Sequence, residues 1–186
     1  NYLTIEENTP FFLEKPQKPS EKVSLGLLHK INSTLKSYGF NRYEISSFAK
    51  NGQFSRHTTG YWTGRNYLGL GPSAHSYIDG TRWGNIRSLT PYLSTVEKGV
   101  KPVSFTEKSA LQTRQPELFA LHLRLLAGVD LPAFEKRFSP LKKELKNGIE
   151  TLLCMQLLAK TNQRIALTEK GALFYDTVLE KLTAHQ

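Results

Sequence analysis

The apolar positions of this chain fall into blocks of differing period, and the period decides what each block can bury. Leu28, Ile31, Leu35 and Tyr38 recur at three and four, so they share one helix face. Ser20 stands where its hydroxyl can cap that helix, and Gly39 where a left-handed residue can end it. Upstream, residues 1–5 alternate like a strand, Asn8-Thr9-Pro10 reads as a turn, and residues 15–19 form a polar, Pro-rich connector. Residues 42–48, with Tyr43 and Ile45 toward one side, read as a strand directly after the helix; that order predicts an α/β layer rather than a bundle. Residues 50–71 read as a loop, yet they carry Phe54, Tyr61, Trp62 and Tyr67, more aromatic surface than a solvated linker needs. A hairpin follows, because Asp79-Gly80 between Ser76-Tyr77-Ile78 and Thr81-Arg82-Trp83 supplies the positive φ values of a type I′ turn. Thr90-Pro91 opens another helix, Gly99 ends it, and residues 100–112 read as a polar join between domains.

The last third is helix-rich. The pattern predicts a helix over 115–127 closed by Gly128, a short one from Asp130 or Leu131 to Phe138, and a third capped by Ser139 that runs to about residue 153. A short strand, a turn at 160–163, a strand over 164–167 and a final helix capped by Thr168 complete it. Helices, then a small hairpin, then a helix is a winged-helix-like order. The expected organisation is α+β, with residues 1–105 as one part and 106–186 as a small helical domain.

Composition narrows the class. With 186 residues, 39% hydrophobic and 22% charged, the chain is neither disordered nor collagenous. Its one cysteine, Cys154, excludes an intramolecular disulfide and any iron–sulfur or zinc site needing several thiolates from this chain; it fits a reducing compartment. No apolar run approaches the roughly 18 residues of a membrane span, so the expected location is cytoplasmic. The net charge of +9 divides as +5 over residues 1–99 and +4 over 100–186, without a basic tail. It points to an anionic partner: nucleic acid, anionic lipid, or a ligand bearing phosphates or carboxylates.

Gly69-Leu70-Gly71-Pro72-Ser73-Ala74 has the letters of a dinucleotide fingerprint but not its strand-to-long-helix context, so it reads as a tight backbone turn. Asn32-Ser33-Thr34 spells a glycosylation sequon inside a predicted helix and carries no function. The densest chemistry is Arg56-His57-Thr58-Thr59-Gly60-Tyr61-Trp62, followed by Arg65, His75, Arg82, Trp83 and Arg87. Imidazole can ligate iron, flat rings offer π surfaces, and Arg pairs with carboxylates, so the set suits a planar carboxylate-bearing ligand such as a porphyrin. The same residues suit single-stranded nucleic acid, or a loop pinned to the core by Tyr61 and Trp62 with His57 merely hydrogen-bonded. His29 and His122 read as structural histidines on helices, His185 as terminal, and Cys154 as a small hydrophobe among leucines. No Ser-His-Asp triad, phosphate loop or metal-spaced His pair appears.

Taken together, Tyr43-Glu44-Ile45-Ser46-Ser47-Phe48-Ala49, Arg56-His57 with Tyr61-Trp62, and residues 67–76 resemble the oxygen-independent coproporphyrinogen III oxidase-like family of radical SAM proteins. Leu3-Thr4-Ile5-Glu6, Gly128-Val129-Asp130-Leu131 and Leu167-Thr168-Glu169-Lys170-Gly171 extend the likeness to nearly the whole chain. The His-x-x-x-Tyr-Trp spacing is similar to the haem chaperone branch, whose pattern is His-Asn-x-x-Tyr-Trp; Thr58 replaces the Asn here. The resemblance implies His57 as ligand to haem iron, with Tyr61, Trp62 and Arg56 beside the macrocycle. It further implies that the chain is the C-terminal part of a longer protein, comprising the end of an open (β/α) barrel and then the winged-helix-like domain. The [4Fe–4S] cluster and S-adenosylmethionine would then belong to the full-length protein only, with a haem-acceptor protein as a partner. A true oxidase of porphyrin biosynthesis is the alternative within the family. A nucleic-acid-binding winged-helix module, suggested by the +9 charge and residues 139–182, is the alternative from a different class. Against it, Lys142, Lys143 and Lys146 are partly balanced by Glu144 and Glu150 and no dense basic helix appears, so nucleic acid is not the expected partner.

Overall fold

The computed structural model describes residues 5–7, 9–108, 110 and 113–184. Residues 1–4 of the expected first strand, Asn8 of the expected turn and His185 therefore lie outside the described residues. The chain divides into two compact units, one ending at Phe54 and one starting at Ser55.

In the first unit, Thr9 caps the short helix α1 (Pro10–Leu13), its hydroxyl accepting from Phe12 N–H at 3.2 Å. Ser20 caps α2 (Glu21–Ser37) by accepting from Val23 N–H, and Gly39 leaves the helix at φ +79°, both as the pattern predicts. Much of the apolar stripe on α2 is uncovered, with Ile31 45% and Tyr38 68% exposed. His29 is exposed as well, contrary to its reading as a structural histidine. Residues 42–48 do not form one strand. The chain reverses between β1 (Asn41–Arg42) and β2 (Phe48–Ala49), which pair antiparallel. Local bonds make the reversal. The buried Glu44 carboxylate accepts from Ser46 N–H and from its hydroxyl, each at 3.0 Å, and Arg42 Nε donates to the Ile45 carbonyl at 2.8 Å. These side chains give the backbone an alternative to a strand ladder, which apolar alternation alone does not register.

The second unit opens with a helix where a loop was expected. Ser55 accepts from Thr58 N–H at 3.2 Å and starts α3 (Arg56–Trp62). Seven residues are too few to show a helical period, so the Ser cap was its only signal. The hairpin of β3 (His75–Ile78) and β4 (Thr81–Asn85) forms as predicted, with Asp79 and Gly80 at φ +47° and +81°. After α4 (Leu89–Glu97), the polar join contains β5 (Val103–Lys108), which pairs with β4 so that the sheet runs β3-β4-β5. Its exposed, polar-rich residues disguised an edge strand as linker.

Helix α5 (Gln115–Leu123) ends at Leu123, earlier than the expected residue 127, and a turn leads to β6 (Val129–Asp130). Then follow α6 (Leu131–Phe138), α7 (Lys143–Cys154), β7 (Leu158–Thr161), β8 (Arg164–Leu167), α8 (Glu169–Leu173) and α9 (Tyr175–Thr183), with the sheet ordered β6-β8-β7. Ser139 does not cap α7. It stands at φ +76° and closes α6, while the loop to Lys142 is held by the fully buried Gln115 amide. Gln115 Nε2 donates to the Ser139 and Pro140 carbonyls, and its Oε1 accepts from Lys142 N–H at 2.9 Å. Thr168 caps α8 as expected, but the final helix breaks at Phe174 (φ −106°, ψ 37°) before α9. Leu118, Phe119, Leu123, Leu145, Leu152 and Val178 form the core, each at most 1% exposed. Cys154 is exposed rather than core, because Leu152 and Leu157 occupy the inward positions on either side of it.

Candidate functional site

Helix α3 presents His57 on its first turn, exposed to solvent. Its ring meets Tyr61 edge-on at 4.7 Å, Tyr61 meets Tyr67 at 4.5 Å, and Tyr67 lies 6.2 Å from Tyr77 of β3. The Tyr67–Tyr77 backbone bridge, with mutual N–H to carbonyl bonds of 2.8 and 2.9 Å, anchors this aromatic row to the sheet. Burial pushes the Tyr67 phenol above its ordinary pKa, with Arg82 acting in the opposite sense. His57 lies on a helix rather than in a loop, and among the described residues no hydrogen bond or ion pair engages its imidazole. Tyr61 and Trp62, both half-buried, do pin the segment to the rest of its unit.

The pin is specific. Arg124, just past α5, places its guanidinium 4.1 Å from the Trp62 ring and 5.1 Å from that of Tyr175 on α9. Tyr175 in turn donates its hydroxyl to the Ala120 carbonyl at 2.8 Å. From α6, Arg137 donates to the Thr63 and Gly64 carbonyls at 2.7 and 2.8 Å, covering the C-terminal end of α3. Thr58, standing where the family pattern has Asn, accepts from the Ser55 hydroxyl at 2.9 Å and so joins the cap of α3.

Tyr61, Trp62, Tyr67 and Tyr77 line a cavity of about 380 Å³ together with Arg82, Arg114 and Glu117. Glu117 receives both arginines: Arg114 at 2.9 and 3.0 Å, and Arg82 Nη2. Burial pushes the Glu117 carboxyl up, but hydrogen bonds from Arg114 and Arg82 outweigh it and hold the pKa below the ordinary range. Arg114 also lies 4.8 Å over Tyr77. This ion cluster was missed in the sequence, because Arg82 and Glu117 meet only through tertiary folding. His122 is the structural histidine expected, its Nδ1 2.8 Å from the Leu118 carbonyl; burial lowers its pKa. Arg56 and Arg65 are exposed and in no ion pair among the described residues, and Arg56 does not line the cavity.

Residues 111–174 match the HemN C-terminal domain family. Over 97% of its length it is 31% identical to a protein named heme chaperone HemW from Lactococcus lactis, covering 48% of that protein. A protein of the same name from Bacillus subtilis is 28% identical over 95% of the chain and 48% of that relative. The chain thus spans about half the length of these relatives. Among solved structures, the Escherichia coli coproporphyrinogen III oxidase HemN, described as a radical SAM enzyme, shares the fold at a TM-score of 0.70. That match covers 90% of this chain and 42% of HemN at 17% identity. The chain is mixed helix and sheet, and among the described residues no helix is long and apolar enough to cross a membrane.

Proposed function

We propose that the chain is the C-terminal portion of a cytoplasmic radical SAM haem chaperone and supplies a haem-binding surface centred on α3. His57 is the iron ligand in this reading, with Tyr61 and Trp62 beside the macrocycle and Arg56 placed to meet a carboxylate. The observation that carries it is the His57 imidazole: exposed, in no hydrogen bond among the described residues, and braced edge-on by Tyr61 on a helix held by two arginines. A neutral imidazole with a free ring nitrogen is what haem ligation requires. The cluster and S-adenosylmethionine belong to the longer protein, since Cys154 alone cannot supply the thiolates a cluster needs.

Residues 1–105 then contribute the end of an open (β/α) barrel, and 106–186 a winged-helix-like module. The order α5, β6, α6, α7, β7, β8 supports the second assignment. A haem-acceptor protein is the partner in this reading, supported by the likeness to a protein named heme chaperone. The test is a haemin titration of the 186-residue chain beside His57→Ala, following the Soret band. We expect a shifted band and affinity lowered by about tenfold, a loss near 1.4 kcal/mol. An unchanged spectrum and affinity would remove His57 from the ligand role.

A further inference from the structure

A second cavity, of about 370 Å³, lies where the loop over residues 69–74 meets the end of β4. Ser73, His75, Arg87, Ser88 and Phe105 contribute to its lining, which contains no Asp or Glu among the described residues. Its walls are fixed. Buried Asn85 donates from Nδ2 to the Gly71 carbonyl and from its N–H to the Ala74 carbonyl, each at 2.9 Å, and Ser73 N–H donates to the Ile86 carbonyl at 3.1 Å. Arg87 and His75 are exposed and in no ion pair among the described residues, while the Ser88 hydroxyl makes no capping bond to α4. Phe105 meets the His75 ring at 5.4 Å, giving the donors an aromatic flank. His75 also lines the cavity that holds Tyr61 and Trp62, so the two cavities adjoin at this residue.

We propose that this cavity is a carboxylate site, with Arg87 as its principal donor and Ser73, Ser88 and His75 around it, and that it receives the propionate groups of a tetrapyrrole. The identity of the ligand rests on the haem-binding reading; the anion preference rests on the cavity's own residues. Arg87, the His75 imidazole and the Ser73 and Ser88 hydroxyls, with no carboxylate among the described lining residues, form a donor-rich set, and a guanidinium pairs with carboxylate in a fixed fork. An aromatic rim beside such a set favours a flat ligand that carries its charge at the edge.

The experiment uses metal-free protoporphyrin, which needs no iron ligand, and its dimethyl ester, which has lost both carboxylate charges. Each is titrated by porphyrin fluorescence into the wild-type 186-residue chain, Arg87→Gln and Arg87→Lys. We expect the wild type to prefer the diacid over the ester. Arg87→Gln should weaken diacid binding by about tenfold and leave the ester unchanged, and Arg87→Lys should recover part of the loss. Equal diacid affinity in wild type and Arg87→Gln, no preference over the ester, or no diacid binding at all would each overturn the proposal. The haemin titration separates the two readings. A response to His57→Ala without diacid selectivity leaves the iron-ligand assignment standing and removes this site; diacid selectivity with an inert His57→Ala does the reverse.

Discussion

Replacing Glu117 by Gln tests whether the ion cluster of Arg82, Glu117 and Arg114 holds the second unit together. Gln keeps the volume and can still accept, but it leaves Arg114, whose side chain is only 8% exposed, without its counter-charge. Hydrogen bonds to charged groups contribute about 1.5–3 kcal/mol each, and breaking a fully buried pair costs about 3–5 kcal/mol. Glu117 and Arg82 retain 29% and 30% exposure, so water screens part of that loss, and we expect about 2 kcal/mol. At about 2–4 °C per kcal/mol for a chain of this size, Tm should fall by about 4–8 °C. Glu107 is the matched control: it stands 3.8 Å from Arg82 at 50% exposure, and Glu107→Gln should cost under about 0.5 kcal/mol. The pH dependence adds a second readout. The Glu117 pKa is lower folded than unfolded, so its contribution is full above about pH 4.5 and drains as the pH falls through the folded value. Thermal melts of the three proteins between pH 3 and pH 8 check both. Equal Tm for the two variants, or an acid loss in Glu117→Gln as steep as in wild type, would refute the reasoning.

Other perturbations follow the same logic. Leu152→Ala empties a site that is 0% exposed and should cost about 2–5 kcal/mol by chemical denaturation. Arg137→Ala removes two bonds to the end of α3; we expect about 1 kcal/mol of stability lost by denaturant titration, together with weaker haemin binding by the Soret assay. His122 is lowered by burial, so its neutral form favours the fold and stability should drop as pH falls below about 6.5; His122→Gln should flatten that part of the Tm–pH curve. Gly69→Ala drives a methyl into the His75 carbonyl, and we expect a lower Tm and impaired porphyrin binding by fluorescence.

Elements whose signals lie within a few neighbouring residues were legible in the sequence. The Asp79-Gly80 hairpin, the Ser20 and Thr168 caps and the Gly39 stop needed only local chemistry. Where a polar side chain redirects the backbone, near or far in sequence, apolar periodicity carries no trace of it. The Glu44 and Arg42 bonds turned an expected strand into a reversal, and Gln115 organised the loop before α7 from 24 or more positions away. Cys154 looked apolar by its neighbours because a helix in sequence does not declare which of three adjacent residues faces inward. At the site, His57, Tyr61 and Trp62 were visible as a cluster, and the fold brings them onto one helix. The arginines that hold that helix, Arg124 and Arg137, come from a separate stretch of chain, and no spacing rule connects them to it.

Those two arginines bear on how the protein can be divided. Helix α3 precedes the hairpin in the chain, yet the arginines that hold it come from α6 and the end of α5, and it clusters with everything after Ser55. A chimera joined between residues 105 and 106 would therefore pair the helix bearing His57 with foreign anchors. A graft that exchanges relatives' modules with binding intact should carry residues 55–186 as one inherited block.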